Sequence, residues 1–211
     1  GPALGLVRLA DRVDPGLRTL DHGGAERFEG EAGPLLEEVL REHDDIVEAH
    51  LLSAQLGLES GQLEPAQKAL ERAADLAAKQ KLPPLDIFAM RAALETSRDR
   101  DPQPWIKRAL DYNPRYGAVY EQLAHFEIMR RRYREATVLL RRAVEVQPDL
   151  WSGHAELGSN LLRLGQIEEA RQQLTAAYSG DPYSPTTVNS LRLLDRIDQF
   201  DVSSTPVAVA G

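Results

Sequence analysis

Histidines close to acids are the first place to look for chemistry in this chain. His43 and His50 lie seven residues apart, on one face if a single helix carries both, with Asp44, Asp45 and Glu48 nearby. Helical metal ligands usually sit three or four residues apart, as in the HExxH pattern of zinc peptidases. The residues that would bridge these two histidines, one turn from each, are Ile46 and Val47, and neither ligates a metal. A zinc site needs three or four converging ligands, so none is expected here. Asp21-His22-Gly23-Gly24 has no following lysine or apolar strand and is no phosphate loop, and no Gly-x-Ser-x-Gly elbow occurs. Ser152 lies two residues from His154, yet no aspartate is placed to complete a triad. The chain has no cysteine, which removes disulfides, thiolate zinc sites, iron–sulfur clusters and thiol nucleophiles together. No catalytic residue, cofactor or metal is therefore expected, and binding is a better reading than catalysis.

Side chains that could bind are more plentiful. Arg130-Arg131-Arg132-Tyr133-Arg134 is a basic run. A nucleic-acid footprint would need such residues repeated along the chain with stacking aromatics among them. Trp105 and Trp151 each read as the start of a helix and as packing residues rather than cofactor contacts. The 211 residues hold 33 acids and 25 bases, a net charge of −8, which argues against a protein that coats nucleic acid. Residues 26–48 carry a net −7 of that charge, whereas residues 115–142 hold seven arginines against three glutamates. Two solvated faces are the plain reading, and oppositely charged docking surfaces the sharper one. Apolar residues make up 42%, enough for a core, and no run of 18 apolar residues could span a membrane.

The elements that position these residues show a period. Asn113-Pro114, Gln147-Pro148 and Asp181-Pro182 are spaced by 34, and Leu123, Leu157 and Leu191 keep the same phase. So do Ala124 and Gly158, Ala136 and Ala170, Leu140 and Leu174, and Ala143 and Ala177. Apolar spacing predicts a helix over 117–130, a turn, and a second helix over 134–146. Small residues let the two approach while Leu123 and Leu140 fill the space beside them. The residue before a proline disfavours α geometry, which ends each pair. The next unit reads 151–164, a turn at Gly165, then 168–180. Gly165 offers the positive φ that a tight turn needs. The equivalent turns at Ser60–Leu63 and Leu164–Ile167 are not basic, so the arginine run reads as a solvated turn, with recognition of an acidic partner second.

These columns resemble the tetratricopeptide repeat family, whose unit is a 34-residue helix–turn–helix. Tyr120, Leu123, Ala124, Ala136, Leu140, Ala143 and Pro148 carry the likeness in one unit. His154, Leu157, Gly158, Leu161, Ala170, Leu174, Ala177 and Pro182 carry it in the next. His154 and Glu127 depart from the aromatic residues usual there, in columns read as outer or half-exposed. The resemblance implies an all-α, right-handed α-solenoid of stacked helix–turn–helix repeats. Four repeats are expected, at 47–82, 83–116, 117–150 and 151–184. In the second, Pro102 displaces the small packing residue. A longer loop at Ser97–Asp101 is therefore expected there, with Asp101 as N-cap. A capping helix is expected at 185–200. Residues 201–211 read as a β-like tail or the start of a further domain. Residues 1–46 read as an N-terminal cap region. It opens on Gly1-Pro2, a remnant of tag removal. A short helix at Leu4–Arg12, a glycine-rich loop at 22–33 and a helix opened by Pro34 follow.

The resemblance also implies a concave groove lined by the first helix of each pair, taking an extended peptide or a partner helix. Groove positions here are Gln55, Arg91, Glu121, Gln122, His125, Ser152, Glu156, Ser159 and Asn189. Some relatives clamp a peptide's terminal carboxylate with lysine and asparagine in these columns. Here Glu121 and His125, Ala155 and Ser159, and Leu51 and Gln55 replace them, so that clamp is not expected. The expected function is a non-catalytic protein–protein interaction scaffold with a protein or peptide partner and no nucleic acid. Two alternatives stand beside it. Asn189-Ser190-Leu191-Arg192-Leu193-Leu194-Asp195, followed by Phe200, looks like the junction where such repeats precede a metallopeptidase-like domain in some bacterial proteins. The opposed charge regions could also serve self-assembly into a homo-oligomer.

Overall fold

The computed structural model describes residues 25–204, and every regular element among them is an α-helix. The chain divides into two compact units, residues 1–114 and 115–211.

In the first unit, α1 (Ala25–Glu42) leads into the pair α2 (Val47–Glu59) and α3 (Leu63–Gln80), then the pair α4 (Leu85–Ser97) and α5 (Gln103–Tyr112). Helix α1 runs through the segment whose glycines suggested a loop, with Pro34 inside it. Proline removes one backbone donor. The alanine, arginine and glutamates around it are strong helix formers and carry the helix across. Leu36 then meets Ala49 and Leu52 of α2, with Val39, Leu40, Ile46 and Leu56 around them. The chain breaks between Glu42 and Val47, so His43 and His50 do not share a helix. His50 instead turns back to the Asp44 carbonyl at 3.0 Å. Val47, Ala73, Leu76, Ala77 and Ile87 form a second core cluster joining α2, α3 and α4. Gly57 makes room for the close approach of α2 to α3, since a Cβ there would lie 3.0 Å from the Ala66 Cβ. Lys81 ends α3 in the left-handed region at φ 58°. Pro102, rather than Asp101, is the N-cap of α5, and Asp101 one residue earlier accepts the Gln103 N–H at 3.0 Å.

The second unit holds the pairs α6 (Ala118–Met129) with α7 (Tyr133–Val146) and α8 (Trp151–Arg163) with α9 (Ile167–Gly180), then α10 (Pro185–Ser204). The second helices of its two pairs start at residues 133 and 167, 34 residues apart. Ala124, Ala136, Leu140, Leu157, Leu161 and Ala170 make one core from four helices. Gly158 is packed so tightly that a Cβ would stand 2.5 Å from the Leu174 Cγ. The turn glycine Gly165 takes φ +73°, and Gly61 does the same in the first unit at +75°. Arg131 occupies the matching turn between α6 and α7 at φ 60°, a conformation strained for any residue with a Cβ. Glu127, read from sequence as half-exposed, is buried at 5% exposure. Arg130 and Arg132 approach its carboxylate to 3.7 and 3.6 Å, while its Oε2 has no hydrogen-bond partner. Helix α10 runs to Ser204, so residues 201–204 are helical rather than β-like. The expectations for Leu4–Arg12, for 22–24 and for 205–211 lie outside the described residues.

The described residues thus form an all-α arrangement of successive helix–turn–helix pairs.

Candidate functional site

Seven of the expected groove residues fall in the second unit, and six of them sit three on each of two successive first helices. Helix α6 carries Glu121, Gln122 and His125, and α8 carries Ser152, Glu156 and Ser159. Residues three and four apart share a helix face, which puts 121, 122 and 125 on one side of α6 and 152, 156 and 159 on one side of α8. Four of the six meet across the interface between these helices. Ser152 is hydrogen-bonded to the Glu121 carboxylate, and His125 lies close enough to act electrostatically on both Glu121 and Glu156.

The electrostatics of this group are unfavourable to charge. Burial raises the pKa of Glu121, and the bond from Ser152 and the nearby His125 only partly oppose it. Burial pushes the Glu156 carboxyl up to about 7, and the negative charge of Glu121 adds to the rise. One oxygen of Glu156, Oε2, is shut away from solvent with no hydrogen-bond partner. An orphaned polar atom of this kind costs about 1–3 kcal/mol. Next along α8, Asn160 is fully buried and donates from Nδ2 to the Tyr133 carbonyl at 2.7 Å and the Thr137 hydroxyl at 2.8 Å. That asparagine ties α8 to α7 and was not singled out in the sequence. Its signal would have been a polar residue in the Leu157–Leu161 apolar stripe.

The remaining three residues are elsewhere. Asn189 is exposed on α10. Gln55, on α2, donates to Glu59 one turn on at 2.9 Å. Arg91, on α4, lines a cleft of about 490 Å³ whose other walls are α3 and α5. There its guanidinium carbon sits 4.7 Å from the centroid of the Trp105 ring. Arg108 lies over the same ring at 4.5 Å, and Phe88 is tilted against it at 6.1 Å. Trp105 thus packs as a stacking platform. Trp151 instead covers Gly180 and stacks on His154 at 6.0 Å.

Among the described residues no three His, Asp or Glu side chains converge as a metal site requires. No described helix is long and apolar enough to cross a membrane.

The chain is similar in structure to solved helical proteins. TTC0263, a thermophilic TPR protein of Thermus thermophilus, is 22% identical, with 77% of this chain and 89% of that one aligned at a TM-score of 0.45. PilF of Pseudomonas aeruginosa is 15% identical over 87% of this chain and 83% of its own, at 0.46. YrrB, described as a TPR protein with an unusual peptide-binding site, is 15% identical over 77% and 83%, at 0.42. No protein-family profile matches the chain, and no curated protein matches it.

Proposed function

We propose that this chain is a non-catalytic interaction scaffold that takes an extended peptide or a partner helix along the face of its first helices. The observation that carries the reading is the α6–α8 face. Half-buried Glu121, His125 and Glu156 come together there with the exposed Ser152, and Glu156 Oε2 has no hydrogen-bond partner. A stack kept together for stability alone gains nothing from paired carboxylates at an interface. A cationic group of a partner laid along this face would favour the ionised carboxylates, with His125 and Ser152 beside them to fix register. Gln122 and Ser159 extend the same face, and Asn189 on α10 is a further position of the same unit.

The test begins with peptides selected from a random display library against the 211-residue chain. Their affinities are then measured by fluorescence anisotropy. Selected peptides should bind in roughly the micromolar range. The double variant His125→Glu, Ser159→Arg should lose at least about tenfold in affinity under conditions where circular dichroism shows it folded. Equal binding by that variant would place the partner surface elsewhere.

A further inference from the structure

The first unit contains a second place that asks for a ligand, separate from the α6–α8 face. The cleft between α3, α4 and α5 is lined by Glu64, Gln67, Glu71, Arg91, Arg98 and Trp105, with Arg100 and Glu95 at its rim. Three guanidinium groups reach it, and they are poorly matched by acids. Arg98 approaches Glu64 only to 3.9 Å, and Arg100 approaches Glu95 only to 3.8 Å, both at the outer limit of an ion pair. Arg91 makes no ion pair or hydrogen bond with any described residue. Its positive charge is felt by Glu71 and Asp75, but Glu71 is already engaged by Gln67 at 2.7 Å.

Arg91 is therefore half-buried and lacks an oxygen partner. Burial is also the main influence lowering its pKa. A guanidinium over an aromatic ring keeps its N–H donors in its own plane, where two of them match the two oxygens of a carboxylate. Trp105 thus holds the group in place without consuming its donors. Arg108, over the same ring, adds positive potential from the α5 side.

We propose that this cleft binds the side-chain carboxylate of an acidic residue on a partner protein, with Arg91 as the bidentate contact and Arg98 as the second cation. A single negative charge fits better than a phosphate group because Glu64, Glu71 and Glu95 stand around the same cleft. Their field opposes a dianion more strongly than a monoanion. The volume lies within the roughly 300–1,000 Å³ typical of ligand sites and admits a side chain with its flanking backbone. The site does not depend on the α6–α8 face, because all its residues belong to the first unit and that face to the second.

The chain has only two tryptophans, so the indole N–H resonance of Trp105 is a clean reporter and that of Trp151 an internal control. The 211-residue chain is titrated with a capped tripeptide bearing a central glutamate, with its glutamine counterpart, and with inorganic phosphate. The glutamate peptide should move the Trp105 signal saturably while Trp151 stays still, and the glutamine peptide should move neither. Arg91→Gln should weaken binding about tenfold or more, Arg91→Lys less, and Arg98→Gln severalfold, as expected for charge-assisted bonds. Arg98→Gln leaves the Trp105 stack intact, so it remains informative if Arg91→Gln loosens the fold. The proposal is overturned if glutamate and glutamine peptides behave alike, if phosphate binds more tightly than glutamate, or if both Gln variants bind like the parent. Loss of groove binding in the His125→Glu, Ser159→Arg variant leaves this titration unchanged, so the two readings fail separately.

Discussion

Replacing Glu156 by glutamine should make the protein more stable at alkaline pH and leave it nearly unchanged in mild acid. Glutamine keeps the shape of the side chain and removes its charge. The Glu156 carboxyl titrates near 4.5 in an unfolded chain and at about 7 in the folded one, because burial and the adjacent Glu121 disfavour its ionised form. Between those values the folded chain binds more protons than the unfolded chain, so stability falls as pH rises through this window. Each pKa unit corresponds to about 1.36 kcal/mol, which puts the full loss near 3 kcal/mol as an order of magnitude. Relative to the parent, Glu156→Gln should gain up to about 3 kcal/mol above about pH 8 and less than about half a kcal/mol at about pH 4.5. Urea unfolding followed by circular dichroism from about pH 4.5 to about pH 8.5 reads the difference directly. Groups away from this pair titrate alike in both proteins and cancel, while Glu121, relieved of its neighbour's charge, ionises more easily in the variant. A gap that stays constant across that range would refute the argument, because it would mean the carboxyl ionises in the folded protein as it does in water.

Other perturbations separate packing from backbone strain. Gly117→Ala should cost at least about 2 kcal/mol, because the new methyl would run into the Ala143 carbonyl oxygen, which is backbone and cannot step aside; chemical denaturation checks it. Gly165→Ala meets no neighbour, yet its φ of +73° makes it cost about 1 kcal/mol, visible as a lower unfolding midpoint. Arg131→Gly should raise stability by up to about 1 kcal/mol by relieving the same strain, and no gain would mean that the Arg131 side chain stabilises the turn. Asn160→Ala should lower stability by about 2–3 kcal/mol in the same denaturation assay, since Nδ2 is the fully buried donor to two α7 oxygens.

Much of the fold could be read because its signals were periodic and local. Alanine and glycine at matched positions mark where helices touch. Structure turns those letters into contacts, with Gly158 against Leu174 and Ala124 in one core with Ala136. Gly165 announced a left-handed turn residue and is one. Failures came where one residue type has two uses. Glycines and Pro34 ordinarily interrupt helices, but in α1 the surrounding helix formers outweigh them. His43 and His50 had the spacing of one helical face, but the chain bends at the acidic residues between them.

The candidate sites were less legible, because their character is a matter of which side chains lack partners. Sequence placed Glu121, His125, Ser152 and Glu156 on first helices, but helical phase cannot show that Ser152 bonds Glu121 while Glu156 Oε2 is left alone. Arg91 illustrates the same point more sharply. It was read as a groove residue from its register, and in that role it would be a solvated cation like many others. In the structure it lies over Trp105, beside Glu71, which Gln67 already holds. Its isolation follows from three helices packing around it rather than from its place in the repeat. A charged group half removed from water loses hydration that only a matched partner restores. Glu127 shows the contrasting outcome within the other unit, a buried acid with Arg130 and Arg132 drawn around it. Even there Glu127 Oε2 makes no hydrogen bond, so charge proximity alone balances that acid, whereas Arg91 rests on the Trp105 ring with Glu71 nearby.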